Sequence, residues 1–254
     1  MPAIEPKGRH RLKRQLGVEA RPIVSTFGLV DPRKGLEYVI EAMPEIVARH
    51  PAALYLVVGQ THPELQKREG EAYRNSLIAS AARLGMRDHV KFVNQYLSQR
   101  EVVDYLLATD VYVTPYLDPN QITSGTLAYA LGAGKAIVST PYLHAKEVLE
   151  SGRGILVPFR DSAAVATAVN SVLGDPERKR QLEARAYEYG KEMAWPAIGR
   201  RVLAAMRDIL DHRVAAPAAQ LLAPQPEAAL VAPERELVAA ESEEQLEDEA
   251  TPIA

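Results

Sequence analysis

The stretch Val111-Tyr112-Val113-Thr114-Pro115-Tyr116-Leu117-Asp118-Pro119-Asn120-Gln121-Ile122-Thr123-Ser124-Gly125-Thr126-Leu127-Ala128-Tyr129-Ala130-Leu131-Gly132-Ala133-Gly134-Lys135-Ala136-Ile137-Val138-Ser139 sets the reading of everything around it. Its two ends, Val111–Thr114 and Ala136–Ser139, are nearly continuous apolar runs, as strands covered on both faces must be. Between them a polar loop leads into Ser124–Gly132, a helical segment whose Gly125, Ala128, Ala130 and Gly132 let it pack closely on a sheet. Strand, helix and strand in this order form a βαβ unit with a right-handed crossover.

The same punctuation runs outward in both directions. Further strands are predicted at Pro22–Phe27, Leu54–Val58, Val90–Val93 and Ile155–Val157. Helices are predicted at Gly35–Arg49, Glu71–Leu84, Gln99–Ala108, Ala145–Glu150 and Ser162–Leu173, then from about Pro176 to Lys191 and from Pro196 to Asp211. Pro44 implies a kink or break in the first of these, because proline lacks the helical N–H donor. The pattern specifies an α/β fold, a doubly wound parallel sheet of Rossmann-like type with helices on both faces. No internal repeat is present.

Composition narrows the class. The chain has 254 residues, 47% hydrophobic and 25% charged, which excludes collagen-like, wholly disordered and multi-span membrane chains. It has no cysteine, which removes disulfide scaffolds, cysteine nucleophiles and thiolate metal sites. The net charge of −3 is a sum of unlike parts. From Glu227 onward nine acids face Arg235 alone, a balance of −8, so the remainder carries +5. Lys7, Arg9, Arg11, Lys13 and Arg14 against Glu5 account for +4 of that.

Three regions follow: a basic N-terminal arm over 1–20, a body over 21–213, and an Ala/Pro/Glu-rich tail over 214–254 that reads as disordered because it lacks apolar surface to bury. The arm reads as a solvated face. It has no aromatic interleaving, so nucleic acid is not an expected partner, and an anionic membrane surface is the weaker alternative. No apolar segment follows the arm and no run of 18 apolar residues occurs, so neither a signal peptide nor an integral membrane segment is expected, and a cytoplasmic protein is the default.

In a doubly wound sheet, ligands sit at the carboxyl ends of the strands, so the loops after the strands are where chemistry is sought. After the first strand, Ser25-Thr26-Phe27-Gly28-Leu29-Val30-Asp31-Pro32-Arg33-Lys34-Gly35 offers Gly28 for close backbone approach and Lys34 near a helix start. Lysine opposes the macrodipole there, so Lys34 is either an exposed loop cation or one that meets an anionic ligand. In the loop after the fourth strand, Thr123-Ser124-Gly125-Thr126 either caps a helix or cradles a phosphate. After the fifth strand, His144 and Glu147 stand at helical spacing, as a functional pair or as surface polarity. Neither a Walker A loop nor a G-x-G-x-x-G fingerprint occurs, which argues against ATPase and NAD readings.

Six phrases in order give these loops a family. They are Phe27-Gly28 with Lys34-Gly35-Leu36-Glu37; Leu54–Gly59; Val90-Lys91-Phe92-Val93; Ala108-Thr109-Asp110-Val111; Ala130-Leu131-Gly132-Ala133-Gly134-Lys135-Ala136-Ile137-Val138; and Glu147 followed by Gly154-Ile155-Leu156-Val157. Over Arg21 to Asp211 the chain resembles the C-terminal, donor-binding half of the GT-B glycosyltransferases that use nucleotide-sugars with retention, family 4 or glycosyl transferases group 1. The resemblance implies a donor domain for carbohydrate biosynthesis that binds a nucleoside-diphosphate sugar as substrate, needs no cofactor or metal, and serves an unknown acceptor. It implies Lys34 at the diphosphate, Val93 and Asn94 at the nucleotide base, the amides around Gly125 and Thr126 beside Ser124 at the diphosphate, and Glu147 after the last site loop. Gly28 opens the first loop of that site.

The chain also departs from the pattern. Leu29 stands where the family has an arginine, and Gln121 and Tyr129 stand where it has two glutamates eight positions apart. Gln121 keeps a donor and an acceptor for sugar hydroxyls, whereas Tyr129 offers no bidentate acceptor for a ribose diol. The family's acceptor-binding N-terminal domain has no counterpart before Pro22, which implies a separate N-terminal GT-B domain or partner chain. The rival reading is a non-catalytic nucleotide-sugar-binding or interaction module.

Overall fold

The computed structural model describes residues 13–15 and 17–215. Six strands form one all-parallel sheet in the order β3-β2-β1-β4-β5-β6: β1 (Ile23–Phe27), β2 (Leu54–Val58), β3 (Val90–Val93), β4 (Val111–Thr114), β5 (Ala136–Ser139) and β6 (Ile155–Leu156). Helices connect them: α1 (Leu36–Arg49), α2 (Pro63–Glu69), α3 (Ala72–Arg83), α4 (Gln99–Ala108), α5 (Gly125–Gly132), α6 (Leu143–Leu149) and α7 (Ser162–Leu173). Two more follow, α8 (Pro176–Glu192) and α9 (Trp195–Ala215). The doubly wound reading holds.

Strands β1, β2, β4 and β5 are buried at every residue, and their side chains divide between two cores by the period-two alternation of a strand. Val24, Tyr55, Val57, Val111 and Val113 face α1, α3 and α7, where Ile40, Met43, Leu77 and Val169 meet them. Ile23, Phe27, Leu56 and Tyr112 face the opposite way, toward Leu106, Leu127, Leu131 and Val148. The sheet therefore sends the helix after β1 to one face and the helix after β4 to the other. That reversal between neighbouring strands opens a crevice at their carboxyl ends.

Several expectations need correction. Helix α1 is continuous across Pro44, because Val39, Ile40, Met43 and Ile46 bury one face on both sides of the proline. Helix α2 was not foreseen: only Leu65 is buried on it, so it carries no apolar period, and it depends on His62 at the N-cap and Pro63 at the first helical position. Helix α6 begins at Leu143 rather than Ala145. Residues Pro32–Lys34 form a 3-10 turn capped by the Asp31 carboxylate, so Lys34 lies at the end of that turn, not in α1. Helix α9 reaches Ala215, two residues into the stretch read as a tail; the rest of that tail and residues 1–12 of the arm lie outside the described residues. The chain divides into one compact unit through Met206 and a second from Arg207 on. Among the described residues no helix is long and apolar enough to cross a membrane.

Lys13, read as part of a solvated arm, is packed under the sheet. Its ammonium donates to Asp110 Oδ2 at 2.7 Å and to the Arg21 carbonyl at 2.9 Å. The same carboxylate accepts from Ile23 N at 2.9 Å and, through Oδ1, from Lys179 at 2.9 Å. Burial alone would raise the Asp110 pKa, but Lys179, Lys13 and the Ile23 amide together hold it down to about 2. A carboxylate with a depressed pKa contributes stability above its unfolded value of 3.8 and loses it as pH falls through about 2. Replacing Asp110 with Asn is expected to cost about 2 kcal/mol at pH 7, with the gap to wild type closing between pH 4 and 2, as read by urea denaturation.

Candidate functional site

The loops after β1 and β4 are locked together across the crevice. Leu117 N donates to the Arg33 carbonyl at 2.9 Å. Gly35, at φ +61°, comes so close that a Cβ there would lie 2.2 Å from the Pro115 carbonyl oxygen. This approach lays the Lys34 ammonium 3.8 Å above the ring of Tyr116, a cation–π contact. Tyr116 is buried, stacks on Tyr142 at 5.1 Å and brings its hydroxyl within 3.2 Å of Thr126 Oγ1. A Cβ at Gly28 would sit 3.8 Å from the Thr126 methyl, so the end of β1 also reaches the start of α5. Gly28, Lys34 and Thr126 are thus drawn together from loops about 100 residues apart in sequence.

A polar cleft of about 550 Å³ opens over this junction, lined by Leu29, Asp31, Lys34, His62, Gln121 and Thr123, with Arg33 and Asp118 at its side. Arg33 is committed to Asp31, its Nε and Nη2 donating to the two carboxylate oxygens at 2.9 and 3.0 Å. The Arg33 hydrogen bonds hold the Asp31 carboxyl below its ordinary pKa. Lys34 has no carboxylate partner among the described residues.

Helix α5 starts at the edge of the cleft. Ser124 Oγ accepts from Leu127 N at 3.3 Å, so that hydroxyl caps the helix. The amides of Gly125 and Thr126, first in the helix, have no carbonyl one turn back to bond. The loop before them is pinned by the first turn of α6: Leu143 N donates to the Pro119 carbonyl and His144 N to the Gln121 carbonyl. Gln121 Nε2 donates to the Thr123 carbonyl at 2.9 Å, which engages its amide donor within the loop.

His62 entered the cleft without a sequence signal. Its position follows from the loop after β2, braced by the buried Arg74, which donates to the Gly59 carbonyl at 2.8 Å and pairs with Glu71 at 3.0 Å. Only the strand order places that loop beside β1. His62 Nδ1 accepts from Glu64 N at 3.3 Å.

The remaining anticipated residues are dispersed. Gly125 and Tyr129 line a second, larger cavity of about 710 Å³, mostly apolar, between α4, α5 and the segment Met193–Trp195. Val93 ends β3, the edge strand, and Asn94 follows it, two strand spacings or about 10 Å from β1. The Val93 carbonyl accepts from Gly59 N at 2.9 Å. Glu147 is exposed on α6 and lines neither cavity. It makes no hydrogen bond to His144, whose Nδ1 instead accepts from Ser124 N at 3.0 Å.

Burial lowers the His144 pKa, and the Glu147 charge opposes that only in part. The neutral ring is the form that accepts from Ser124, so its contribution is complete above pH 6.5 and is lost as pH falls through the depressed value. Titration of the Ser124–Thr126 amides by NMR is expected to show a transition below pH 6.5. His144→Asn, which keeps an acceptor without the ionisation, should abolish it.

Comparison with known proteins agrees with this architecture. Residues 9–191, more than half of the chain, match the family model of glycosyl transferases group 1. A "GDP-mannose-dependent alpha-(1-6)-phosphatidylinositol monomannoside mannosyltransferase" of Mycolicibacterium smegmatis is 30% identical over 183 residues, 69% of this chain and 45% of that protein. The chain spans about half the length, or less, of the curated relatives it matches. Among solved structures, Anabaena Alr3699/HepE in complex with UDP superposes with a TM-score of 0.70 at 21% identity, covering 81% of this chain and 54% of that one. The C-terminal domain of the group 1 glycosyl transferase LpcC from Francisella tularensis superposes with a TM-score of 0.59 at 16% identity, covering 74% of this chain and 96% of that domain. The sheet is that of the GT-B glycosyltransferases, and this chain belongs to the glycosyl transferases group 1 family.

Proposed function

We propose that residues 21–213 form the donor-binding half of a glycosyltransferase and take a nucleoside-diphosphate sugar at the crevice between β1 and β4. The observation that carries this reading is the juxtaposition at the switch point. A lysine without a carboxylate partner among the described residues and the first turn of α5 both abut Tyr116, beside a polar cleft. Cation and helix N-terminus attract the same ligand class, a phosphate-bearing anion. GDP-mannose, on which one relative depends, and UDP, with which one fold neighbour was solved, belong to that class and support the choice.

In this reading the bond between the anomeric carbon and the diphosphate oxygen breaks with its electron pair leaving on the diphosphate, while an acceptor oxygen bonds to the same carbon and its proton passes to the departing diphosphate. Lys34 and the amides of Gly125 and Thr126 stabilise the charge that gathers there, as fixed donors that need no reorganisation. Gly28 lets the diphosphate approach the backbone, and Ser124 keeps the helix start capped. Gln121 takes sugar hydroxyls through its side-chain oxygen. Val93 and Asn94 hold the base through backbone groups, with Tyr129 on the nucleoside side. Glu147 lines neither cavity, and its role requires ligand to reach past His144. The acceptor is received by a second, N-terminal-type domain, and no nucleophile is assigned to this chain.

Calorimetric titration of UDP-, GDP- and ADP-sugars is expected to show binding of at least one, weakened about tenfold or more by Lys34→Ala, the scale of a lost charge-assisted contact. Binding of none would refute the donor site. Donor binding without hydrolysis or transfer, even with a complementary N-terminal half present, would leave a binding module in place of an enzyme.

A further inference from the structure

We propose that Tyr116 is a positioning residue that holds Lys34 in register with the N-terminus of α5; this deepens the donor-site reading and rests on it. The cleft has little positive charge to spare. Arg33 is clamped on both oxygens of Asp31, and Leu29 brings none. Among the described lysines and arginines of the cleft, Lys34 alone is left to meet the anion, and four side-chain torsions separate its charge from the backbone. A carboxylate partner would fix the ammonium but also neutralise it. An aromatic face fixes it without doing so, and leaves its N–H donors available to a ligand.

Tyr116 has the geometry for this. Its ring lies 3.8 Å beneath Lys34 Nζ. The ring cannot drift, because Tyr116 is 1% exposed and stacks on Tyr142 with an interplanar angle of 19°. Tyr142 is itself buried, with its hydroxyl 3.4 Å from Thr114 Oγ1 at the end of β4. The Tyr116 hydroxyl meets Thr126 Oγ1 at 3.2 Å, and Thr126 Oγ1 lies 3.5 Å from the capping hydroxyl of Ser124. One side chain thus touches both components of the anion site, the cation through its π face and the helix start through its edge. The two contacts are separable by chemistry: Tyr116→Phe removes only the second, Tyr116→Leu both.

The test uses inorganic pyrophosphate, which needs neither base nor sugar, titrated into the full chain by calorimetry, with thermal unfolding followed in parallel. Tyr116→Leu is expected to weaken binding about tenfold, the range of a partly desolvated cation–π contact, and Tyr116→Phe by less than threefold. In a Lys34→Ala background, Tyr116→Leu should cost no more than the less than threefold of Tyr116→Phe, because the larger part of its effect acts through the lysine. Should Tyr116→Leu unfold the chain, phenylalanines with one, two and three ring fluorines at position 116 keep the volume while draining the π face. Affinity should then fall stepwise along the series.

Losses that multiply in the double variant, a flat response to fluorination, or tighter binding by Tyr116→Leu would each overturn the proposal. If Lys34→Ala leaves pyrophosphate affinity unchanged, the donor-site reading fails with it. If Lys34→Ala weakens binding and the Tyr116 variants do not, only the positioning role fails.

Discussion

The approach of Gly35 to Pro115 is the constraint on which the rest of the site depends. Any side chain at position 35 would run into the Pro115 carbonyl, and φ there is +61°, so glycine is required both for room and for backbone conformation. Because the loops meet there, Leu117 N reaches the Arg33 carbonyl and Lys34 reaches Tyr116. The same residue starts α1, so the contact also sets where that helix leaves the sheet. Separating the loops by the width of a methyl group would move the cation away from the ring and from α5 together.

Around this junction the charged residues divide by what they are committed to. Lys13 and Lys179 neutralise Asp110 beneath the sheet, and the Asp110 carboxylate in turn fixes the first amide of β1. Arg74 braces the loop after β2. Lys135, 1% exposed, donates to the carbonyls of Leu107 and Thr109, where the dipole of α4 is negative. Each of these cations answers a need of the fold. Lys34 differs in being held by a neutral ring, a state that costs the protein none of its charge.

Much of this was legible from residue order. The apolar runs located all six strands to within a residue, because a parallel strand buried on both faces has little alternative composition. The loops that bear Gly28, Lys34 and Ser124 followed from the strands. Helix α2 and His62 were not legible: a short polar helix has no period to read, and the proximity of the loop after β2 to that after β1 is a matter of strand order. Pro44 fails to break α1 for a related reason, since the local rule for proline ignores the apolar face that continues on both sides of it.

By itself the sequence determined the six strands and the helices other than α2, the family phrases and the residue types available to an anion, because each depends on local composition and spacing. The tertiary structure decided which of those residues share a cleft. It brought Lys34 and Thr126 together on Tyr116, set Gly28 against Thr126, placed Gly125 and Tyr129 in the lining of a second cavity, and left Glu147 outside both. The reason is geometric. Neighbours in a doubly wound sheet are set by crossovers that place β1 beside β4 rather than β3, and the distance between two loops exists only once those strands have paired.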